Sequence, residues 1–192
     1  TIYLEDYKPP EFKLIRCELD FELDASQTRV TARYEIEAQG DNNSLKLDGE
    51  ALELVAIHID NKPVASNRFQ TDEHSLTISS VPEKFSLSIE TLTHPGENTS
   101  LNGLYKSGDM LCTQCEAQGF RRIAYSFDRP DVLTSYTVKL TADKTRYPVL
   151  LSNGNLIDWG ETGENHYTVW QDPFPKPTYL FALVAGKLMS HS

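Results

Sequence analysis

The chain has 192 residues, 39% of them hydrophobic and 24% charged, which suits one globular domain whose core needs no disulfide or metal staple. Lys and Arg number 18 against 28 Asp and Glu, a net charge of -10, and a field of that sign repels a phosphate backbone, which argues against nucleic-acid binding. The longest apolar run, Tyr179 to Ala185, falls far short of the ~18 residues that cross a bilayer, and Thr1 to Pro10 mixes charge with tyrosine and proline, so neither a membrane span nor a signal peptide is expected.

From Ile15 to Asp24 apolar and charged residues alternate: Ile15, Cys17, Leu19, Phe21 and Leu23 on one side, Arg16, Glu18, Asp20, Glu22 and Asp24 on the other. That period of two predicts a half-buried strand. After the turn-like Ala25-Ser26-Gln27 the pattern resumes, with Val30, Ala32, Tyr34, Ile36 and Ala38 inward, which predicts an antiparallel hairpin ended by Gly40-Asp41-Asn42-Asn43. Shorter alternating runs follow at Leu45–Leu47, Leu52–Ile59, Leu76–Ile78 and Phe85–Leu92, punctuated by Asp60-Asn61-Lys62-Pro63 and Val81-Pro82. Later strands are predicted at Tyr136–Leu140, Val149–Leu151, His166–Trp170 and Tyr179–Leu188, with turns at Asn153-Gly154 and Trp159-Gly160. No run sustains a helical period; one turn is expected at Asp128-Arg129-Pro130-Asp131, capped by Asp128. Many short strands between turn signals predict an all-β sandwich or a pair of stacked, strongly twisted sheets.

Between His94 and Asp131 the alternation fails over a stretch longer than the ~12–15 residues usual for a structureless connection, which points to function or an interface. Residues 112 to 130, with their dense polar, turn and aromatic content, read as a docking loop and not as a strand. Glycines at 96, 103, 108 and 119 permit tight reversals, and Tyr105, Phe120, Tyr125 and Phe127 offer anchors.

Cys112-Thr113-Gln114-Cys115 invites a redox or zinc reading, but no βαβ unit surrounds it and no second Cys-x-x-Cys or His pair completes a ligand set. In an extended segment, residues three apart also face opposite sides. Cys17, Cys112 and Cys115 are therefore expected to be small buried side chains, and their odd number favours a reducing cytoplasm over a disulfide framework. The same extended geometry sets Gln114 and Glu116 on one face with Cys115 turned to the core. A carboxylate and an amide oxygen projecting together can both accept from one primary amine. His58, His74, His94, His166 and His191 form no His-Glu-x-x-His and no Ser-His-Asp arrangement, and no phosphate loop is present. On the residues alone, the chain is a β-domain that contributes to a site, or a non-catalytic β-sandwich binding module.

Several segments, in order, resemble one family: Gly103-Leu104-Tyr105-Lys106-Ser107-Gly108, Thr113-Gln114-Cys115-Glu116, Phe120-Arg121-Arg122, Asp128-Arg129-Pro130-Asp131, Tyr147 to Gly154 and Lys176 to Ala182. From about Tyr7 onward the chain resembles the N-terminal domain of the M1 family of zinc aminopeptidases, in its bacterial aminopeptidase N branch. Tyr125-Ser126-Phe127, where many animal relatives carry Pro-Cys, favours that branch. The resemblance implies a saddle-shaped twisted β-sandwich of antiparallel sheets, a single domain over 1–192, with the thermolysin-like catalytic domain and its zinc lying outside this sequence. It implies no cofactor in these residues, a catalytic domain of the same polypeptide as partner, and a peptide with a free N-terminus as substrate. It also assigns Glu116 to the substrate's α-amino group and Gln114 to the pocket for the first side chain.

Overall fold

The structure, a computed structural model, describes residues 3–189. Its largest sheet is built on a long hairpin, β1 (Phe12–Leu23) and β2 (Thr28–Ala38). Asp24 shapes the turn between them: its carboxylate accepts from Ser26 N at 2.8 Å and Ser26 Oγ at 2.6 Å, while Thr28 Oγ1 donates back to the Asp24 carbonyl at 2.8 Å. The inward positions of β2 are as the alternation predicts. In β1 the pairing with β2 shifts between Leu14 and Arg16, so Phe12 and Leu14 point inward and Ile15 is exposed. A bulge puts two residues opposite one and reverses the phase, which corrects the expected inward placement of Ile15.

Beyond β2 come β3 (Leu45–Asp48), β4 (Glu53–Ile59), the two-residue β5 (Lys62–Pro63), β6 (Phe69–Thr71), β7 (Ser75–Ile78) and β8 (Lys84–Thr93). The segment expected to be a loop instead holds a hairpin, β9 (Gly103–Ser107) and β10 (Met110–Gln114), turned at Gly108 with φ +58°. Each of these strands sends its leucine, Leu104 or Leu111, to full burial, too short a pattern to register as alternation. Then follow β11 (Thr134–Asp143), β12 (Val149–Ser152), β13 (Asn155–Thr162), β14 (Asn165–Lys176) and β15 (Leu183–Gly186).

Two expectations fail in this last part. Trp159-Gly160 lies inside β13 and not at a turn; Gly160 faces Tyr167 on β14, and a Cβ there would come within 2.8 Å of the Tyr167 ring. The predicted strand from Tyr179 to Leu188 contracts to β15, because Pro177 leads into a 3₁₀ turn over Thr178–Leu180.

The strands form an eight-stranded sheet in the order β13-β14-β11-β1-β2-β8-β4-β5, a four-stranded sheet β12-β15-β10-β9 and a three-stranded sheet β3-β7-β6. All pairs are antiparallel except β1 with β11, which run parallel. In the eight-stranded sheet, paired residues share a face, so rows such as Ile57, Ile89, Ala32, Leu19 and Val138 cross four ladders and are all buried. Leu45, Leu47, Leu76 and Ile78 from the three-stranded sheet, and Leu104, Leu111, Leu150 and Leu183 from the four-stranded one, join that row in a single apolar core. Phe181 ties the layers together, 6.0 Å from Phe21 and 5.3 Å from Phe120 between ring centroids. The fold is thus all-β, with stacked sheets as predicted.

Candidate functional site

Gln114 closes β10 at the edge of the core, and the next seven residues turn sharply. Cys115 points inward and is 2% exposed, while Gln114, Glu116, Ala117 and Gln118 are exposed. The Glu116–Ala117 peptide bond is cis. Gly119 N donates to the Cys115 carbonyl at 2.7 Å and so closes the turn. Only glycine fits at 119: an added Cβ would stand 2.3 Å from both Asn102 Oδ1 and the Gln114 carbonyl. A 3₁₀ turn over Phe120–Arg122 follows, with Phe120 fully buried.

Gln114 and Glu116 are exposed with Cys115 buried between them, but the extended geometry expected for the segment ends with β10 at Gln114 and Glu116 lies in the turn that follows. Gln114 Nε2 donates to the Glu116 carbonyl at 3.2 Å, which commits the amide nitrogen and leaves Oε1 as an open acceptor. Among the described residues the Glu116 carboxylate has no hydrogen-bond or ion-pair partner. The Cys115 thiol is pushed up to about 12, first by burial and then by the Asp128 carboxylate, so at neutral pH it is an inert apolar group.

The support beneath the turn is polar and buried. Asp128, 2% exposed, accepts from Arg121 Nε at 2.9 Å, Arg121 N at 3.2 Å and Thr178 Oγ1 at 2.7 Å. Its own N–H donates to Asp48 Oδ2 at 3.0 Å, and Asp48 and Ser126 exchange backbone hydrogen bonds at 2.8 and 3.0 Å. Arg122 pairs with Glu50. The Asp128 carboxylate therefore joins the turn after Glu116 to the Thr178 turn before β15, and the Asp128 backbone N–H ties both to the Asp48 carboxylate at the end of β3. The expected local role for Asp128, capping its own Arg-Pro-Asp turn, is replaced by this longer-range one. Asp131 instead pairs with Arg129 at 2.6 Å and accepts from Tyr7 Oη at 3.0 Å; the Arg129 guanidinium is the first cause holding its carboxyl below the usual range. Sequence reasoning missed Asp48 and Thr178, which carry no signal until the fold brings them to Asp128.

No group of three or more His, Cys, Asp or Glu among the described residues is arranged to hold a metal ion. What the site offers is two fixed acceptors, one of them anionic, open to solvent on a braced turn. Such a pair has the chemistry to accept from a cationic hydrogen-bond donor.

Comparison with known proteins places these features in a family context. The model of the peptidase M1 N-terminal domain matches residues 6–180. Aminopeptidase N of Escherichia coli is 50% identical over 186 residues, covering 96% of this chain and 21% of that protein. Aminopeptidase N of Haemophilus influenzae is 49% identical over 189 residues, covering 96% and 22%. The chain thus spans about a fifth of the length of the curated relatives it matches. Among solved structures, Legionella pneumophila aminopeptidase A in complex with aspartic acid superposes with a TM-score of 0.91 at 36% identity, over 97% of this chain and 22% of that one. An M1 zinc metallopeptidase of Deinococcus radiodurans shares the fold, with a TM-score of 0.81 at 14% identity over 92% of this chain and 42% of its own.

Proposed function

The chain belongs to the peptidase M1 N-terminal domain family, and from that premise we propose that it is the amine-anchoring domain of a zinc aminopeptidase that removes N-terminal residues from peptides. The reading takes residues 1–192 as one domain and assigns zinc and the hydrolytic groups to a catalytic domain of the same polypeptide. In that domain, zinc supplies Lewis-acid activation of water and of the scissile carbonyl. The contribution of these residues is positional. The substrate's α-ammonium donates to the Glu116 carboxylate and to Gln114 Oε1, and a third N–H remains for other acceptors. Fixing the terminal nitrogen sets the first peptide bond at one residue's distance from the anchor, so that only the first residue is released, and it removes translational freedom before the chemical step.

The observation that carries this proposal is the unpartnered Glu116 carboxylate beside a glutamine whose amide nitrogen is already committed to the Glu116 carbonyl. Among the described residues, that exposed carboxylate is spent on no internal contact. Legionella aminopeptidase A, with its bound aspartic acid, supports a site for a molecule bearing a free α-amino group.

The test is Glu116→Ala in the full-length enzyme. Loss of a charge-assisted hydrogen bond worth about 1.5–3 kcal/mol lowers kcat/KM about 10- to 150-fold on peptides with free amino termini. Zinc content should stay at the wild-type level, since Glu116 is not a ligand. Near-normal kcat/KM with zinc retained would remove Glu116 from the role.

A further inference from the structure

Asn153-Gly154 carries the chain from one sheet to another: β12 ends at Ser152 in the four-stranded sheet and β13 begins at Asn155 in the eight-stranded one. The fold calls for both residues of this pair. Gly154 has φ +89°, and a Cβ there would stand 2.2 Å from the Gln171 carbonyl oxygen on β14, so a side chain does not fit. Asn153 takes over where strand pairing stops. The β12–β15 ladder ends with Ser152 opposite Leu183, and the stretch 180–182 just before it is held by side chains instead. Asn153 Nδ2 donates to the Leu180 carbonyl at 3.1 Å, Asn153 Oδ1 accepts from Ala182 N at 2.7 Å, and Ser152 Oγ donates to the Ala182 carbonyl at 2.9 Å. A side-chain amide suits this clasp because it offers a donor and an acceptor together, as a peptide unit does; a carboxylate offers acceptors alone.

An asparagine followed by glycine is also the one that most readily loses its side-chain amide, because glycine leaves the next backbone nitrogen unshielded. We infer that Asn153 is a gated deamidation site, closed while its side chain holds 180–182 and open when that stretch lets go. In the open state the Gly154 nitrogen attacks Asn153 Cγ and gives up its proton as the new C–N bond forms. The Cγ–Nδ2 bond breaks, and Nδ2 leaves as ammonia with that proton. Water then cleaves one of the two bonds from the ring nitrogen to its carbonyl carbons, leaving isoaspartate or aspartate at 153. In the closed state Nδ2 and Oδ1 are both committed to 180–182, so Cγ reaches the Gly154 nitrogen only after two hydrogen bonds are given up. The product cannot remake the clasp. An ionised carboxylate has no donor for the Leu180 carbonyl and sets an oxygen against it. Conversion is therefore irreversible, and it adds a further negative charge to a chain of net charge -10.

Peptide mapping by mass spectrometry tests this on the full-length protein, held at mildly alkaline pH either natively or in urea, with amide exchange followed on the native samples. The chain's other Asn-Gly pair, Asn102-Gly103 at the start of β9, is the internal reference. In urea both asparagines should convert to aspartate and isoaspartate at similar rates. In the native protein, conversion at Asn153 should be slowed about tenfold or more, the factor that two hydrogen bonds supply. It should rise in step with exchange of the Ala182 N–H as sub-denaturing urea opens the stretch. Asn153→Asp, the product itself, should speed Ala182 exchange severalfold. A native rate at Asn153 close to that in urea would overturn the inference, and so would an Asn153 that stays intact in urea while Asn102 converts. Protection of Asn153 that persists where the Ala182 N–H exchanges freely would also overturn it, because the clasp would then not be the gate. Unchanged Ala182 exchange in Asn153→Asp would mean that a carboxylate serves as well as the amide, which contradicts the inference as directly.

Discussion

Replacing Asp128 by alanine should be among the most damaging single changes in this domain, although Asp128 lies outside the apolar core. Its side chain is 1% exposed and that of Arg121 18%. Three hydrogen bonds end on the carboxylate, from Arg121 Nε, Arg121 N and Thr178 Oγ1. Truncation strands a guanidinium whose next carboxylate, Asp48, is 4.0 Å away, and it leaves the buried Thr178 hydroxyl without an acceptor. Removing one partner of a buried ion pair costs about 3–5 kcal/mol, most of it the penalty for the charge left behind. Against a typical domain stability of about 5–15 kcal/mol, that is a large fraction.

Urea unfolding measures it. With an m-value of about 2–3 kcal/mol/M for a domain of this size, the midpoint should fall by about 1.5 M with m unchanged. Thr178→Val removes one donor and should cost about 1–2 kcal/mol. The double variant should cost less than the sum, because once the carboxylate is gone Thr178 has no bond left to lose. Asp128→Asn keeps one acceptor oxygen, which serves both Arg121 donors in one amide orientation or the Thr178 hydroxyl in the other, and should fall between wild type and alanine. A loss below about 1 kcal/mol for Asp128→Ala, or strict additivity with Thr178→Val, would refute the claim that this carboxylate holds the turn after Glu116 to the Thr178 turn.

Gly119→Ala forces a Cβ to within 2.3 Å of the Gln114 carbonyl, backbone that cannot swing aside; it should cost about 1–3 kcal/mol in unfolding and raise KM for peptides more than Ala117→Gly does. The three thiols are all free, with Cys17 and Cys115 buried and Cys112 partly so. Burial pushes the first two well up, Cys115 to about 12, so at pH 8.5 a thiol reagent should modify Cys112 alone in the native chain and all three in urea; native modification of a second thiol would contradict this packing.

How much of this was legible in the sequence depended on how far the determining contacts lie along the chain. The β1–β2 hairpin was readable because its cause is local: ten alternating residues, an Asp24 turn, and ten more. Ile15 was misplaced because one extra residue reverses the phase and leaves no mark in composition. The β9–β10 hairpin escaped notice because Leu104 and Leu111 are its only fully buried aliphatics. Its remaining stability comes from Val184 and Ala185, which pair with Cys112 and Leu111 from the far end of the chain. β13 was unreadable for the opposite reason: its side chains are largely exposed, so neither burial nor alternation announces a strand. The exposure of Gln114 and Glu116 and the burial of Cys115 were anticipated from spacing, although Glu116 reaches solvent from a turn and not from the extended strand that spacing assumed. Asp128 was assigned a cap it does not make, because its partners Arg121, Thr178 and the Asp48 carboxylate meet only in the folded domain.

The two kinds of residue at the site should therefore respond oppositely to substitution. Gln114 and Glu116 contribute little to packing: both are exposed, and the one contact between them, to the Glu116 carbonyl, would be nearly isoenergetic with water. Their replacement should be almost silent in urea unfolding and costly only when an amine must be held. Asp128, Phe120 and Gly119 touch no ligand, and their replacement should be visible first as lost stability and only then as a displaced Glu116. An exposed pair such as Gln114 and Glu116 is free to vary in chemistry without unfolding the domain, provided the buried brace beneath it stays intact. If Glu116→Ala destabilised the domain as much as Asp128→Ala, the carboxylate would have a structural partner and the amine would lose its receptor.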